Sequence, residues 1–213
     1  WGISARLAVV DGTGSESVTP LAGASVVYAT FDGSGHTMTG LHMDAGTEGF
    51  IGLFRRISSI GTVRGLHLRG ATVKGRAYVG GLAGRNYGTI AACSFGGTVQ
   101  ATGSFAAGIA GSNFEGGQIT GCYSIATQVS GDTRYGIVGT NYGTITACHW
   151  LTGAGLPGKA ADNIYDGTTD RCLSFTNATD LYNQPRYVDA MNAALPPSIP
   201  YRWTQVPGGE PVL

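Results

Sequence analysis

The sequence predicts an all-β fold: a short right-handed parallel β-helix (solenoid) of about five turns, with non-repeating caps at both ends. Three observations lead to this prediction. Glycine contributes 36 of the 213 residues, more than twice the usual share of about 7%. Charged residues make up only 12% of the chain and hydrophobic residues 42%. The glycines also recur with a period of about 28 residues, which indicates stacked structural repeats.

The composition excludes several other classes of protein. Disordered chains combine low hydrophobicity with high charge, and this chain has neither feature. Collagen requires glycine at every third position, a spacing that does not occur here. No apolar run approaches the roughly 20 residues of a membrane-spanning helix. The net charge is zero, so we expect no nucleic-acid partner.

Two glycine markers define the repeat. The first is a glycine followed by two apolar residues, and its copies begin at Gly52, Gly81, Gly108 and Gly136, which are 29, 27 and 28 residues apart. The second is a glycine two residues before Val or Ile, and its copies begin at Gly61, Gly88, Gly117 and Gly143. A degenerate earlier copy covers residues 37–41. The sequence therefore predicts about five repeats over residues 31–153.

Each repeat is expected to consist of strands. Short runs of Val, Ile, Thr and aromatic residues are bounded by glycine or asparagine, which is typical of strands and turns. The step of three residues from Ile90 to Cys93 breaks the alternation of a strand, so we expect a corner there with both side chains pointing inward. Such units bury a face only by stacking on one another, about 4.8 Å apart.

The repeats divide the chain into three parts: residues 1–30 as N-terminal strands or cap, 31–153 as the β-helix, and 154–213 as a C-terminal cap. In the first part, Ile3–Val10 and Ala24–Phe31 are typical of strands. In the last part, Tyr187–Leu195 carries apolar residues on one helical face and is followed by two prolines. These signals predict a short helix within the C-terminal cap.

Three of the four cysteines share one position of the repeat, and they are Cys93, Cys122 and Cys148. Sulfur atoms in a line along the coil do not converge on one centre, so they do not form a zinc site. Disulfides between adjacent turns are disfavoured because both side chains point the same way. We therefore expect buried free thiols that form a structural ladder, and no metal site. Cys172 is expected to lie outside this ladder and to be free as well.

Two further ladders follow from the same period. Asn86, Asn113 and Asn141 are expected to stabilise turns through hydrogen bonds to the backbone. An aromatic residue follows each of them, and these are Tyr87, Phe114 and Tyr142. One interpretation is ring-on-ring packing along a corner. The other is an exposed row that binds the flat faces of sugars, which makes these three residues candidates for ligand binding.

Two segments resemble the GLUG motif (glycine, leucine, a hydrophobic residue, glycine). Gly81–Ile90 followed by Cys93, and Gly136–Ile145 followed by Cys148, carry the resemblance, and Gly108–Phe114 is a variant. The sequence is similar to GLUG-repeat proteins over about residues 31–213. The resemblance implies a secreted or surface protein of bacteria with a role in adhesion. Some GLUG repeats accompany zinc peptidases, but no His here is followed by Glu, so that activity is not expected.

Catalytic residues are poorly represented in the repeats. Within residues 50–153 the only acids are Glu115 and Asp132, which occupy different repeat positions, whereas a glycosidase needs two carboxyl groups roughly 5–9 Å apart. Among the histidines, only His67 and His149 share a repeat position. We therefore expect no enzyme activity and no cofactor.

The sequence favours a non-catalytic adhesion or binding module, extracellular or at the cell surface. Its expected partner is a glycan or a host or bacterial surface protein. Two alternatives stay open: a structural stalk that holds another domain away from the cell, and a degenerate β-helix lyase or hydrolase of polysaccharides.

Overall fold

The structure, a computed structural model, describes residues 26–153, 155–163 and 167–213. It confirms the all-β fold and a β-solenoid of about five turns. The strand expected at Ile3–Val10, with most of residues 1–30, lies outside the described residues. The handedness of the coil stays a prediction.

Within the described residues the strands are short and numerous. In the first half of the chain they are β1 (Val26–Val27), β2 (Thr30–Thr39), β3 (His42–Asp44), β4 (Gly49–Ile51), β5 (Phe54–Ile57), β6 (Thr62–Gly75), β7 (Ala77–Gly80), β8 (Ala83–Asn86), β9 (Thr89–Ala91), β10 (Ser94–Ala101), β11 (Ala106–Ala107) and β12 (Ala110–Asn113). In the second half they are β13 (Gln118–Thr120), β14 (Tyr123–Ser124), β15 (Gln128–Ser130), β16 (Arg134–Tyr135), β17 (Val138–Asn141), β18 (Thr144–Thr146), β19 (His149–Leu151), β20 (Asp162–Asn163), β21 (Thr168–Asp170), β22 (Leu173–Phe175), β23 (Thr204–Val206) and β24 (Gly209–Val212). Two helices lie before the last hairpin, α1 (Ala178–Asn183) and α2 (Pro185–Ala194).

Three parallel sheets form the walls of the coil. One has the order β1-β5-β8-β12-β17-β20, and one has the order β16-β11-β7-β4. The third has the main path β21-β18-β13-β9-β6-β10-β14-β19-β22. Neighbours in each sheet come from successive turns, so every turn of chain lies on the turn before it. Only the hairpin β23–β24, outside the coil, is antiparallel.

Parallel pairing covers more of the chain than the sequence repeat does. At one end β1 pairs with β5, in front of residue 31. At the other end β20, β21 and β22 pair with β17, β18 and β19, well beyond residue 153. The coil therefore continues where the glycine markers have stopped.

Apolar side chains of successive turns stack inside the coil. Val63, Ile90, Ile119 and Ile145 lie in one register and are fully buried. Burial of each such side chain contributes about 1.5–3 kcal/mol. The expected corner between Ile90 and Cys93 is present, because Ala92 has φ 50° and Ala147, one repeat position later in the column, has φ 48°. These left-handed residues turn the chain while both flanking side chains stay inside.

The C-terminal segment, residues 176–213, runs back along the side of the coil. Near the last turns, Tyr187 packs against Phe175. Halfway along, the Trp203 indole Nε1 donates to the carbonyl of Gly121 at 2.7 Å. At the first turn, the Tyr201 hydroxyl donates to Asp32. The segment thus joins the last turn of the coil to the first, and the helix expected at Tyr187–Leu195 corresponds to α2 within it.

In the part of the chain that the structure describes, no helix has the length and apolar character needed to cross a membrane.

Candidate functional site

The cysteine ladder has four members. Leu173, the residue after Cys172, pairs with His149, the residue after Cys148, and the backbone N–H of Cys148 lies 3.4 Å from Cys172 Sγ. The prediction that Cys172 lies outside the ladder was therefore wrong. It failed because the last turn is shorter: Cys172 follows Cys148 by 24 residues instead of 26 to 29.

All four thiols are free and are held in the same way. Each Sγ donates to the carbonyl two residues earlier, for example Cys93 to Ala91 at 3.3 Å and Cys172 to Asp170 at 3.3 Å. Burial raises the pKa of the Cys93 and Cys148 thiols, which keeps them protonated. The buried thiols fill a column of the core as small apolar groups do.

The asparagines form a second ladder inside the coil. Asn86 Nδ2 donates to Asn113 Oδ1 at 2.8 Å, Asn113 Nδ2 to Asn141 Oδ1 at 2.8 Å, and Asn141 Nδ2 to Asn163 Oδ1 at 2.9 Å. Each amide group also bonds to backbone carbonyls, such as that of Gly117. The first three side chains are fully buried. Asn163, which sequence reasoning missed, extends the ladder into the last turn.

Tyr87, Phe114 and Tyr142 form a stack, which we call the first ring row. The Tyr87 and Phe114 centroids are 4.4 Å apart with 9° between the planes, and those of Phe114 and Tyr142 are 5.9 Å apart with 12°. Stacking occupies the ring faces, so the half-buried rings present mainly their edges outward. A sugar bound at this row would therefore contact ring edges and phenol hydroxyls more than ring faces.

A second ring row was missed by sequence reasoning. Phe50 stacks on Tyr78 with centroids 4.5 Å apart, and Tyr78 stacks on Phe105 at 4.9 Å. All three residues have positive φ, between 54° and 62°. The left-handed backbone turns the chain at this corner, and stacking of the rings offsets its cost. The signal was available, because these residues are 28 and 27 positions apart.

Two arginines lie between the ring rows. The Arg56 guanidinium carbon is 4.5 Å from the centroid of Tyr87, in the first row. The Arg85 guanidinium carbon is 3.6 Å from the centroid of Phe50, in the second row. Because Arg56 and Arg85 are partners in register on β5 and β8, they bridge the two rows from adjacent turns.

Hydroxyl groups continue the arginine column along the coil. Ser112 and Thr140 are the next partners in register, and their oxygens are 2.8 Å apart. Both side chains are buried between the rows. We call the outer surface of β5, β8, β12 and β17, with its two ring rows, the ring-bordered face. Its accessible polar groups lie at the arginine end, where Arg56 is exposed and Arg85 half-buried.

A polar cluster lies under the C-terminal segment. Ser94 Oγ is 2.7 Å from His67 Nδ1, and Arg69 Nη2 donates to Ser94 Oγ at 3.0 Å and to the Tyr123 hydroxyl at 2.8 Å. Arg69 also pairs with Glu210 of the C-terminal segment. Burial, with the charge of Arg69, lowers the pKa of His67 to about 4. Burial raises the pKa of Tyr123 to about 12.

The contact between Ser94 and a neutral imidazole is typical of a nucleophile and its base. Ser94 is nevertheless fully buried, so substrate does not reach it in this arrangement. The cluster holds the C-terminal segment on the coil. Sequence reasoning placed His67 and His149 at one repeat position, and the strands do align them in one column through Ser94 and Tyr123.

The two acids of the repeats lie at separate places. Glu115 is exposed in the turn between β12 and β13, and Asp132 is exposed between β15 and β16. In the described part of the chain, no group of three or more His, Cys, Asp or Glu residues is arranged to hold a metal ion.

Comparison with known proteins identifies one part of the coil. A search of curated proteins and a search of solved structures each returned no match. Residues 75–100 match the family model described as the GLUG motif. This span contains β7, β8 and β9 and nearly all of β10, and so it contributes Tyr78, Arg85 and Tyr87 to the ring-bordered face. The chain is thus a β-solenoid that carries the GLUG motif.

Proposed function

We propose that the protein is a non-catalytic binding module, secreted or displayed at a cell surface, that attaches to glycans through its ring-bordered face. The observation that carries the proposal is the pair of parallel ring rows with arginines between them. Rings and guanidinium groups are the side chains most enriched in recognition surfaces.

The geometry supports an elongated ligand that runs along the coil. Both ring rows follow the stacking direction, so they present similar groups once per turn. A polymer of repeating sugars has the same kind of one-dimensional periodicity. Ring edges border such a chain, and phenol and guanidinium groups donate hydrogen bonds to its oxygens.

A structural stalk is the second candidate, and the C-terminal segment favours it. This segment bonds to the coil near both ends, through His149 Nε2 to the Tyr187 carbonyl at 3.2 Å and through Arg64 Nη1 to the Ser198 carbonyl at 3.2 Å. A coil clamped in this way resists bending. A stalk, however, needs no glycan affinity.

A glycan microarray tests the proposal. The array should hold neutral and acidic oligosaccharides of plant, host and microbial type, and we expect the intact protein to bind a defined subset. Tyr87→Phe removes one hydroxyl group and keeps the ring stack, so it should weaken binding by about two- to tenfold, the effect of one hydrogen bond. Tyr182→Phe, in α1 on the C-terminal segment, is the matched control and should leave binding unchanged. Absence of any hit across the array would contradict the proposal and favour the stalk.

A further inference from the structure

The arginine pair of the ring-bordered face is electrostatically unusual. Arg56 and Arg85 are direct partners on adjacent parallel strands, where strands lie about 4.8 Å apart. Like charges in directly opposed positions destabilise a sheet. A chain with only 13 basic residues has nevertheless placed two of them side by side.

Other cations on the outside of the coil have acidic partners. Arg55 pairs with Glu48 at 2.6 Å, Arg64 with Asp32 at 2.9 Å and Lys74 with Asp44 at 3.0 Å. Within the described residues, neither Arg56 nor Arg85 has such a partner. Their charges are balanced only by the rings beneath them.

Arg85 also has an unmet hydrogen-bonding group. Its Nε is buried and, in the part of the chain that the structure describes, has no hydrogen-bond acceptor. A buried donor without an acceptor costs about 1–3 kcal/mol. An oxygen anion placed between the guanidinium groups would supply the missing acceptor and remove the repulsion between the two charges.

The rings prepare the guanidinium groups for such an anion. Phe50 under Arg85 and Tyr87 under Arg56 fix the position of each planar group, so little side-chain entropy is lost on binding. A planar guanidinium binds carboxylate and sulfate oxygens in a bidentate manner, which a lysine does not do.

We propose that Arg56 and Arg85 form a binding site for the anionic group of an acidic glycan, either the carboxylate of a uronic acid or a sulfate ester. This inference rests on the proposed function and names the class of glycan. Recognition of an extended peptide is disfavoured here, because β5 and β8 are hydrogen-bonded to strands on both sides and offer no free edge for strand addition. Between the ring rows, a sugar chain needs only side-chain contacts.

Isothermal titration calorimetry on the full chain tests the site. The probes are tetragalacturonate and dextran sulfate as acidic glycans, cellotetraose and dextran as neutral ones, and poly-glutamate as an acidic peptide. We expect binding of at least one acidic glycan. Arg56→Gln and Arg85→Gln should each weaken it about tenfold or more, as expected for loss of a charge-assisted hydrogen bond.

Two further variants make the result specific. Arg76→Gln removes an equal charge from an exposed residue between β6 and β7 and should change the affinity less than about twofold, because surface charges away from a site are screened. Arg85→Lys keeps the charge but loses the planar donor pair, so it should bind about as weakly as Arg85→Gln. Thermal unfolding of every variant establishes that the coil is folded.

The outcomes are distinct. Selective loss of tetragalacturonate binding assigns a carboxylate, and selective loss of dextran sulfate binding assigns a sulfate ester. Equal weakening by Arg76→Gln would overturn the site in favour of non-specific charge attraction. Binding of poly-glutamate as tightly as the glycans would overturn it in favour of an acidic peptide partner. Binding of a neutral glycan that both arginine variants retain would overturn this inference and leave the proposed function standing, whereas a blank microarray would refute both.

Discussion

Asn113 lies at the centre of the asparagine ladder, and we predict that Asn113→Ala destabilises the coil more than any exposed substitution. The side chain accepts from Asn86 and donates to Asn141 and to the Gly117 carbonyl, at 2.8, 2.8 and 3.1 Å. Each bond contributes about 1 kcal/mol net. Removing all three should lower the free energy of unfolding by about 3 kcal/mol, or Tm by roughly 6–12 °C for a chain of this size.

Urea unfolding followed by circular dichroism and by tryptophan fluorescence measures this change. Asn163→Ala is the matched control, because Asn163 ends the same ladder but is exposed. It should cost less than about 1 kcal/mol, since water replaces its partners. Equal losses in the two variants, within experimental error, would refute the claim that the buried part of the ladder stabilises the coil.

Asn113→Asp tests the direction of the ladder. The carboxylate keeps an acceptor for Asn86 but opposes the acceptor oxygens of Asn141 and Gly117. A buried carboxyl group has a raised pKa, so acidification restores one donor by protonating it. The deficit of Asn113→Asp relative to the native chain should shrink as the pH falls, while that of Asn113→Ala should not. An identical pH response of the two variants would contradict the assigned direction.

Three other predictions concern the histidines, the C-terminal segment and the thiols. Burial lowers the pKa of His67 and of His149 to about 4, below the unfolded value near 6.5. The unfolded state therefore binds more protons between these values, and stability should fall from pH 6.5 to pH 4, by up to about 3 kcal/mol for the fully buried His149; urea midpoints against pH measure it. In Gly65→Ala a Cβ would lie 2.7 Å from the Tyr201 ring at a φ of +61°, so the variant should loosen the C-terminal segment and speed its proteolysis. Alkylation with iodoacetamide followed by mass spectrometry should label the half-buried Cys172 first, and the three buried thiols only in urea.

Each of these results has a clear opposite. Stability that is flat between pH 6.5 and pH 4 would show that the histidines do not stay neutral in the fold. Unchanged proteolysis of Gly65→Ala, beside Gly40→Ala as a control with no neighbour within 4 Å, would show that Tyr201 does not pack there. Equal labelling of all four thiols in the native protein would contradict their burial.

The coil itself was predictable because its information is local and repeated. Glycine markers 27 to 29 residues apart gave the length of a turn, and the step from Ile90 to Cys93 gave a corner. Asn163 and Cys172 were missed because the last turn is shortened and has lost its glycine markers. Hydrogen bonding to the preceding turn, which a sequence pattern does not display, holds these two residues in register.

The ring-bordered face could be predicted only in part. The first ring row follows the asparagines and stands out in the sequence. The second row follows residues whose left-handed backbone is dictated by the corner, as at Tyr78, and no glycine marks it. The position of the C-terminal segment was not predictable either, because its contacts join distant residues, such as Arg69 and Glu210.

The most direct test of the account is to locate a bound glycan by NMR. An oligosaccharide that binds on the microarray would be titrated into the isotope-labelled full chain, and the perturbed amides would be mapped. The account predicts that the largest shifts cluster on β5 and β8 and on the ring rows beside them, including Arg56, Arg85, Phe50 and Tyr87. Shifts that cluster instead on the C-terminal segment or on the opposite sheet of the coil would contradict it.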